Sequence, residues 1–142
     1  MSNANTSPNN WNQKIIDEFR SNAGKVGGPF SGSPLLLLTT TGAKTGRRLT
    51  NPLRYNRIEN RLLVFGSKGG APTHPAWYHN LVANPEVTVE LGTDKFEARA
   101  VVIKGEERDR LFQQHGEEVP QFAEYQRKTS RKIPVIALER LD

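Results

Sequence analysis

Apolar residues recur along this chain with two different periods. Trp11, Ile15, Ile16 and Phe19 fall at helical spacing, which predicts a helix over 11–22 with Asn10 as its N-cap. The polar stretch Met1–Asn10 before it is expected to be disordered. "GKVGGPFSGSP" (24–34), with four glycines and two prolines, then reads as a linker. From Leu35 onward the pattern shifts to strand-sized blocks and alternation. "LLLLTTTG" (35–42), "LTNPLRYNRI" (49–58), "RLLVFGSK" (61–68), "VTVEL" (87–91), "KFEARAVVI" (95–103) and "IPVIALERL" (133–141) predict six strands. "ENR" and "GTD" join two of the pairs as hairpins. "PAWYHNLVAN" (75–84) places Trp77, Leu81 and Val82 on one face of a short helix that "NPE" stops. Glu106–His115 and Pro120–Arg127 predict a helical pair.

Six strands joined mostly by short turns argue for an antiparallel sheet, and six suffice to curl it into a small barrel without exposed edges. A doubly wound parallel sheet would need a helix between most strands. The expected class is therefore mainly β, of α+β type: a six-stranded antiparallel barrel with flanking helices. Residues 1–34 are expected to form a flexible N-terminal segment with one helix, and residues 35–142 the barrel domain.

Composition narrows the function classes. A chain of 142 residues suits one domain, and the absence of cysteine removes disulfides, thiolate nucleophiles and cysteine metal sites. No stretch approaches the ~20 apolar residues of a membrane-spanning helix, and "MSNANTSPNN" carries no secretory pattern. A cytoplasmic protein without integral membrane contact is expected, with peripheral attachment at a membrane surface left open. The net charge of +5 is concentrated: Lys44, Arg47, Arg48, Arg54, Arg57, Arg61 and Lys68 face a single acid, Glu59, between Gly42 and Lys68. A local basic zone points to an anionic partner such as a phosphate, a polycarboxylate, nucleic acid or a lipid headgroup.

Two stretches concentrate the chemistry. "TTTGAKTGRR" (39–48) has the glycines of a phosphate loop but lacks the lysine directly after its last glycine, and a strand rather than a helix follows. Its turn is expected to present free backbone N–H groups, with Lys44, Thr45 and Arg47 or Arg48 around an anion; an ordinary basic hairpin is the plainer reading. "SKGGAPTHPAWYHNL" (67–81) combines a double glycine that admits close backbone approach, Lys68, and a helix start at Pro75–Trp77. The alternative there is that Trp77 and Tyr78 plug a core. His74 and His79, five apart, do not share a helical face, and His115 is distant, so no metal site is expected. No serine sits in a nucleophile-elbow sequence. Phe122 and Tyr125, three apart, share one face of a helix; packing is the plainer role of Phe122, whereas the polar tip of Tyr125 suits a pocket mouth.

Taken together, "TTTGAKTGRRLTNPL", "SKGGAPTHPAWYHNLVANPEVTVEL" and "YQRKTSRKIPVIALE" resemble the deazaflavin-dependent nitroreductase family, over about Leu35 to Leu141. The resemblance implies a split β-barrel of the FMN-binding type. It also implies coenzyme F420, an 8-hydroxy-5-deazaflavin with a phospholactyl–polyglutamate tail. The tail contacts would correspond to Ala43, Lys44, Thr45 and Arg48, continuing through Leu49 and Thr50, with Lys68 from the next strand. The ring would lie along Asn51, Pro52, Leu53 and Arg54 and along Phe65, Gly66 and Ser67, roofed by Ala76, Trp77 and Tyr78 with His79 and Asn80 nearby. Phe122 and Tyr125 would cap the substrate side, and Tyr125 or Tyr78 would be the candidate proton donors. The implied activity is F420H2-dependent hydride transfer from C5 to a small planar acceptor: a quinone, enone or nitroaromatic. In nitroimidazole-reducing members the positions of Arg54 and Phe122 are tyrosines and that of Leu49 is arginine, so nitroimidazole reduction is not implied. An FMN-binding oxidoreductase and a non-catalytic deazaflavin carrier are the alternatives. A nucleic-acid-binding barrel is disfavoured, because the aromatics do not interleave with the basic strand residues. The oligomer, monomer or dimer, is left open.

Overall fold

The computed structural model describes residues 8–27 and 34–141. Its elements are α1 (Pro8–Ser21), β1 (Leu35–Thr41), β2 (Arg48–Ile58), β3 (Arg61–Phe65), α2 (Ala76–Ala83), β4 (Glu86–Leu91), β5 (Asp94–Ile103), α3 (Gly105–Glu118), α4 (Pro120–Arg127) and β6 (Val135–Arg140). The six strands close into an antiparallel barrel in the order β1–β2–β3–β6–β5–β4, with β1 pairing β4 to remove the last edge. Four of the six neighbouring pairs join strands consecutive in the chain, β5 and β6 through the two helices between them; only β3–β6 and β1–β4 join strands distant in the sequence.

Strand alternation explains the continuous "LLLL" run. Leu36 and Leu38 join Leu62, Val64, Val87, Val89, Ile136 and Leu138 in the barrel interior. Leu35 and Leu37 point the other way, onto Ile15, Ile16 and Phe19 of α1. A bidentate pair between Arg20 and Glu90, at 2.9 and 2.7 Å, ties α1 to β4 as well. On the opposite outer face, Leu63, Phe65, Val135 and Ala137 pack with Leu111 and Phe112 of α3 and Phe122 of α4. The barrel wall is thus apolar on both sides where helices cover it, which is why its strands do not all read as clean alternation.

Trp77 and Leu81 of α2 belong to the interior cluster and plug one end of the barrel. The opposite end is an open depression of about 460 Å³, lined by Arg57, Arg61, Leu62, Phe96, Leu138 and Arg140 among others. The β2–β3 turn at that end places Glu59 and Asn60 at φ of 56° and 63°, the two left-handed positions of a tight hairpin turn. Among the described residues, no helix is long and apolar enough to cross a membrane.

Several local expectations shift. The first helix begins at Pro8, so Asn10 lies inside it instead of capping it, and Pro8–Asn10 is helical where disorder was expected. Met1–Ser7 and 28–33, including most of the glycine-rich linker, lie outside the described residues. The third helix extends to Glu118, beyond the expected end at His115. Val82 is 55% exposed, because an eight-residue helix plugging a barrel end buries only the stripe at Trp77 and Leu81.

Candidate functional site

The second depression, about 890 Å³, lies on the outer face of β2. β2 supplies Leu49, Thr50, Asn51, Pro52, Leu53 and Arg54 along its floor, and β3 ends there at Phe65. Ser67, Lys68 and Gly69 enter from the following loop, and Pro75, Ala76, Trp77 and Asn80 from the start of α2. Gln121, Phe122 and Tyr125 of α4 close one side, and Trp11, Asn12 and Ile15 of α1 the other, with Leu35 beneath. No aspartate or glutamate lines it among the described residues, whereas Arg54 and Lys68 do.

The floor is stiffened from below. His115, fully buried, stacks on Phe65 with ring centroids 3.8 Å apart, and Phe122 meets both rings edge-on. The Asn56 amide nitrogen, a donor, lies 3.0 Å from His115 Nδ1, so Nδ1 accepts and the ring proton sits on Nε2. Nε2 is buried with no hydrogen-bond partner in the structure. Burial foremost, then the Arg54 charge, pulls the His115 pKa down to about 4, against a smaller opposing effect of Glu118. His115 is therefore a neutral ring behind the cleft wall.

Asn80 connects the cleft to the glycine turn. Its Oδ1 accepts from Ala43 N at 3.0 Å and its Nδ2 donates to Thr40 Oγ1 at 3.2 Å. Within the turn, Gly42 N donates to Arg47 O, Gly46 N to Gly42 O and Arg47 N to Thr45 Oγ1. The N–H groups of Gly42, Ala43, Gly46 and Arg47 are thus engaged internally. The turn is partly closed on itself, and the Lys44 side chain is exposed.

Strand alternation also divides the basic zone. Arg54 and Lys68 line the cleft, while Arg57 and Arg61 line the far barrel end. Arg48 turns toward β4, donating to Thr41 Oγ1 at 3.0 Å and Thr88 Oγ1 at 2.6 Å. Of the residues expected to hold the cofactor, Asn51–Arg54, Phe65, Ser67, Ala76, Trp77 and Asn80 from the ring side and Leu49, Thr50 and Lys68 from the tail side come together at the cleft, with Phe122 and Tyr125 facing them. Ala43, Lys44, Thr45 and Arg48 stand outside its lining, as do Gly66, Tyr78 and His79. Gly66 sits where a Cβ would meet Pro134 Cγ at 2.8 Å, so close packing requires glycine there. Tyr78 packs beside His74, ring centroids 4.6 Å apart, and His79 completes that small cluster. No metal-binding cluster of His, Asp and Glu forms among the described residues.

Sequence reasoning missed Trp11, Asn12, Ile15, Leu35 and Gln121. The one available signal was the i, i+4 spacing of Trp11 and Ile15, which reads equally as core; Trp11 is in fact 51% exposed at the cleft edge.

Comparison with known proteins is consistent across sequence and structure. A family model described as F420H(2)-dependent quinone reductase matches residues 11–140. An F420H(2)-dependent quinone reductase of Mycobacterium tuberculosis (strain H37Rv) is 41% identical over 126 residues, covering 86% of this chain and 85% of that protein. A solved F420-H2 dependent reductase superimposes with a TM-score of 0.67 at 42% identity, over 75% of this chain and 94% of its own. A second solved relative, described as a domain-swapped dimer, gives 0.70 at 36% identity over 94% of this chain and all of its own. The heme storage protein HutZ of Vibrio cholerae, 17% identical with a TM-score of 0.59, shares the fold alone.

Proposed function

The chain belongs to the F420H(2)-dependent quinone reductase family, and on that premise we propose that its cleft binds coenzyme F420 and that the protein reduces small planar activated acceptors. Quinones, enones and nitroaromatics form the acceptor class, and the cytoplasm is the expected setting. The observation that carries this reading is the cleft itself: aromatic and apolar walls, polar groups and cations, with no acid among the described residues.

The residues present fit the cofactor chemically. Phe65, Trp77 and Pro52 offer apolar surface to a flat ring, while Thr50, Asn51 and Ser67 offer hydroxyl and amide partners for its polar edge. Lys68 and Arg54, with the open end of α2 at Pro75–Trp77, suit an anionic tail. The exposed Lys44 extends that positive path outside the cleft. When bound, the reduced deazaflavin supplies a hydride from C5, and the protein supplies position and electrostatics.

Phe122 and Tyr125, ring centroids 5.3 Å apart, form the wall on the acceptor side. Apolar walls of this kind stack planar molecules and keep water from the reacting face. They discriminate weakly, by about 1–3 kcal/mol per methylene, so several unrelated acceptors should be taken. Tyr125 lines the cleft and Tyr78 does not, which leaves Tyr125 or water as the proton source. Tyr125 is read as a wall, because its position at an open cleft lets water serve.

Fluorescence titration with F420 and with FMN tests the cofactor assignment. F420 should bind at least tenfold more tightly; equal or tighter FMN binding overturns the assignment. Turnover of F420H2 with a quinone separates an enzyme from a carrier.

A further inference from the structure

The loop entering the cleft after β3 has a demanding backbone. Lys68, Gly69 and Gly70 take φ of 48°, 64° and 85°. Three successive left-handed residues, one bearing a side chain, must be held by their surroundings. The carbonyls of Gly66, Ser67 and Ala71 also converge on one point, an arrangement of like-oriented dipoles that needs a positive partner.

That partner is Arg131. Its Nη1 donates to Gly66 O at 3.1 Å, Nη2 to Ser67 O at 2.8 Å and Nε to Ala71 O at 2.9 Å. Nη1 also lies 2.8 Å from His74 Nδ1, which must accept because a guanidinium only donates. Burial, and then the charge of Arg131, lower the His74 pKa accordingly. The segment carrying Arg131 is itself pinned. Gln126 Nε2 donates to Arg131 O at 2.8 Å, while Gln126 Oε1 accepts from Ile133 N and from the buried Arg108 of α3. Gly70 closes the arrangement, since a Cβ there would meet Tyr125 O at 2.9 Å. The loop therefore lies directly on the end of α4.

We propose that Arg131 is a positioning residue for the cleft. Its guanidinium locks the 66–71 loop against the end of α4, and so holds Ser67 and Lys68 on one wall in register with Phe122 and Tyr125 on the other. This role rests on the F420 reading of the cleft. Lysine cannot replace it, because one ammonium does not present separate planar donors to three carbonyls.

The test compares Arg131→Lys and Arg131→Met with Arg61→Met, a variant of a barrel-end arginine paired with Glu107 and remote from the loop and from Gln126. Hydrogen exchange is followed in ligand-free protein at the Gly70 and Ala71 amides, which bond to Ser67 O and Lys68 O at 2.9 and 3.1 Å. F420 affinity is measured by fluorescence titration, and thermal midpoints identify conditions of matched stability. Both Arg131 variants should exchange those amides at least tenfold faster and bind F420 at least tenfold more weakly. Arg61→Met at matched stability should stay within threefold in affinity. Native affinity in folded Arg131→Lys, or an equal loss in Arg61→Met, overturns the proposal. If wild-type protein fails to bind F420, the cofactor reading falls instead, while exchange in the ligand-free variants still reads the clamp.

Discussion

Two depressions among the described residues bear arginines, and they differ in how that charge is balanced. At the open barrel end, Arg140 pairs with Asp94 at 2.8 Å and lies over the Phe96 ring, and Arg61 pairs with Glu107 at 2.6 Å. Asp94 and Glu139 share that lining, so charge there is largely compensated within the protein. In the cleft on β2 no acid lines the wall among the described residues, and the hydrogen bond of the Lys68 ammonium is to the neutral Thr73 hydroxyl at 3.3 Å. The cleft also has aromatic walls on two sides and a neutral histidine stacked behind its floor. Lys68, whose hydrogen bond is to a neutral hydroxyl, is therefore better placed to meet an anion than the paired arginines of the barrel end, since a cation already paired to a carboxylate gains little from a ligand.

Acidification should give the largest difference between the two regions, because His115 supports the cleft floor and no histidine lines the barrel end. The folded-state pKa of about 4 lies below the ordinary value of 6.5. Between those values the unfolded chain binds more protons, so stability present above pH 6.5 is lost as pH falls toward 4. The expected loss is about 2–4 kcal/mol. Urea unfolding at pH 7 and pH 4.5 should show a clearly smaller drop for His115→Phe than for the native chain. Equal drops in both would remove His115 from the account.

The charge contrast itself is sharpened by a matched pair of substitutions. Lys68→Ala should weaken F420 binding roughly five- to thirtyfold, equivalent to about 1–2 kcal/mol for a partly screened charged hydrogen bond. Arg57→Ala, at the barrel end, should leave it within about twofold. The gap should narrow at high salt, because screening weakens exposed contacts. Equal effects of the two substitutions at low salt would break the comparison.

The smallest effect is expected at the phenol of Tyr125. As a wall it contributes its ring, so Tyr125→Phe should change kcat by less than about threefold while Tyr125→Ala raises KM. General acid catalysis would instead cost roughly 10²–10⁴-fold in kcat for Tyr125→Phe. Steady-state kinetics of F420H2 oxidation at saturating cofactor distinguishes the two.

The strands were legible because burial on one or both faces imposes period two or a short apolar block, and the turns because "GTD" and "ENR" carry hairpin chemistry. The second, third and fourth helices were legible from spacing, with Pro120 opening the last of them as expected. Barrel closure followed from strand number and short connections, and the ordered combination of motifs pointed to the family. What the sequence left open was direction and partnership. Arg54 and Arg57 of β2, an odd number of residues apart, diverge to different depressions because alternate strand residues face opposite ways, and a one-dimensional count of charge sums over both. Val82 was misplaced because which stripe of a short helix is buried depends on what it docks against, and Asn10 because the first helix starts two residues earlier, at Pro8. The cleft walls from α1 and α4, over a hundred residues apart in the chain, meet only after the barrel closes between them. Arg131 shows the same limit most plainly: nothing local marks it among many basic residues, and its three carbonyl partners exist as a group only in the folded loop 60 or more residues earlier. Local pattern encodes which backbone states are cheap, whereas a site is a set of long-range contacts whose energy appears only when packing brings its members together.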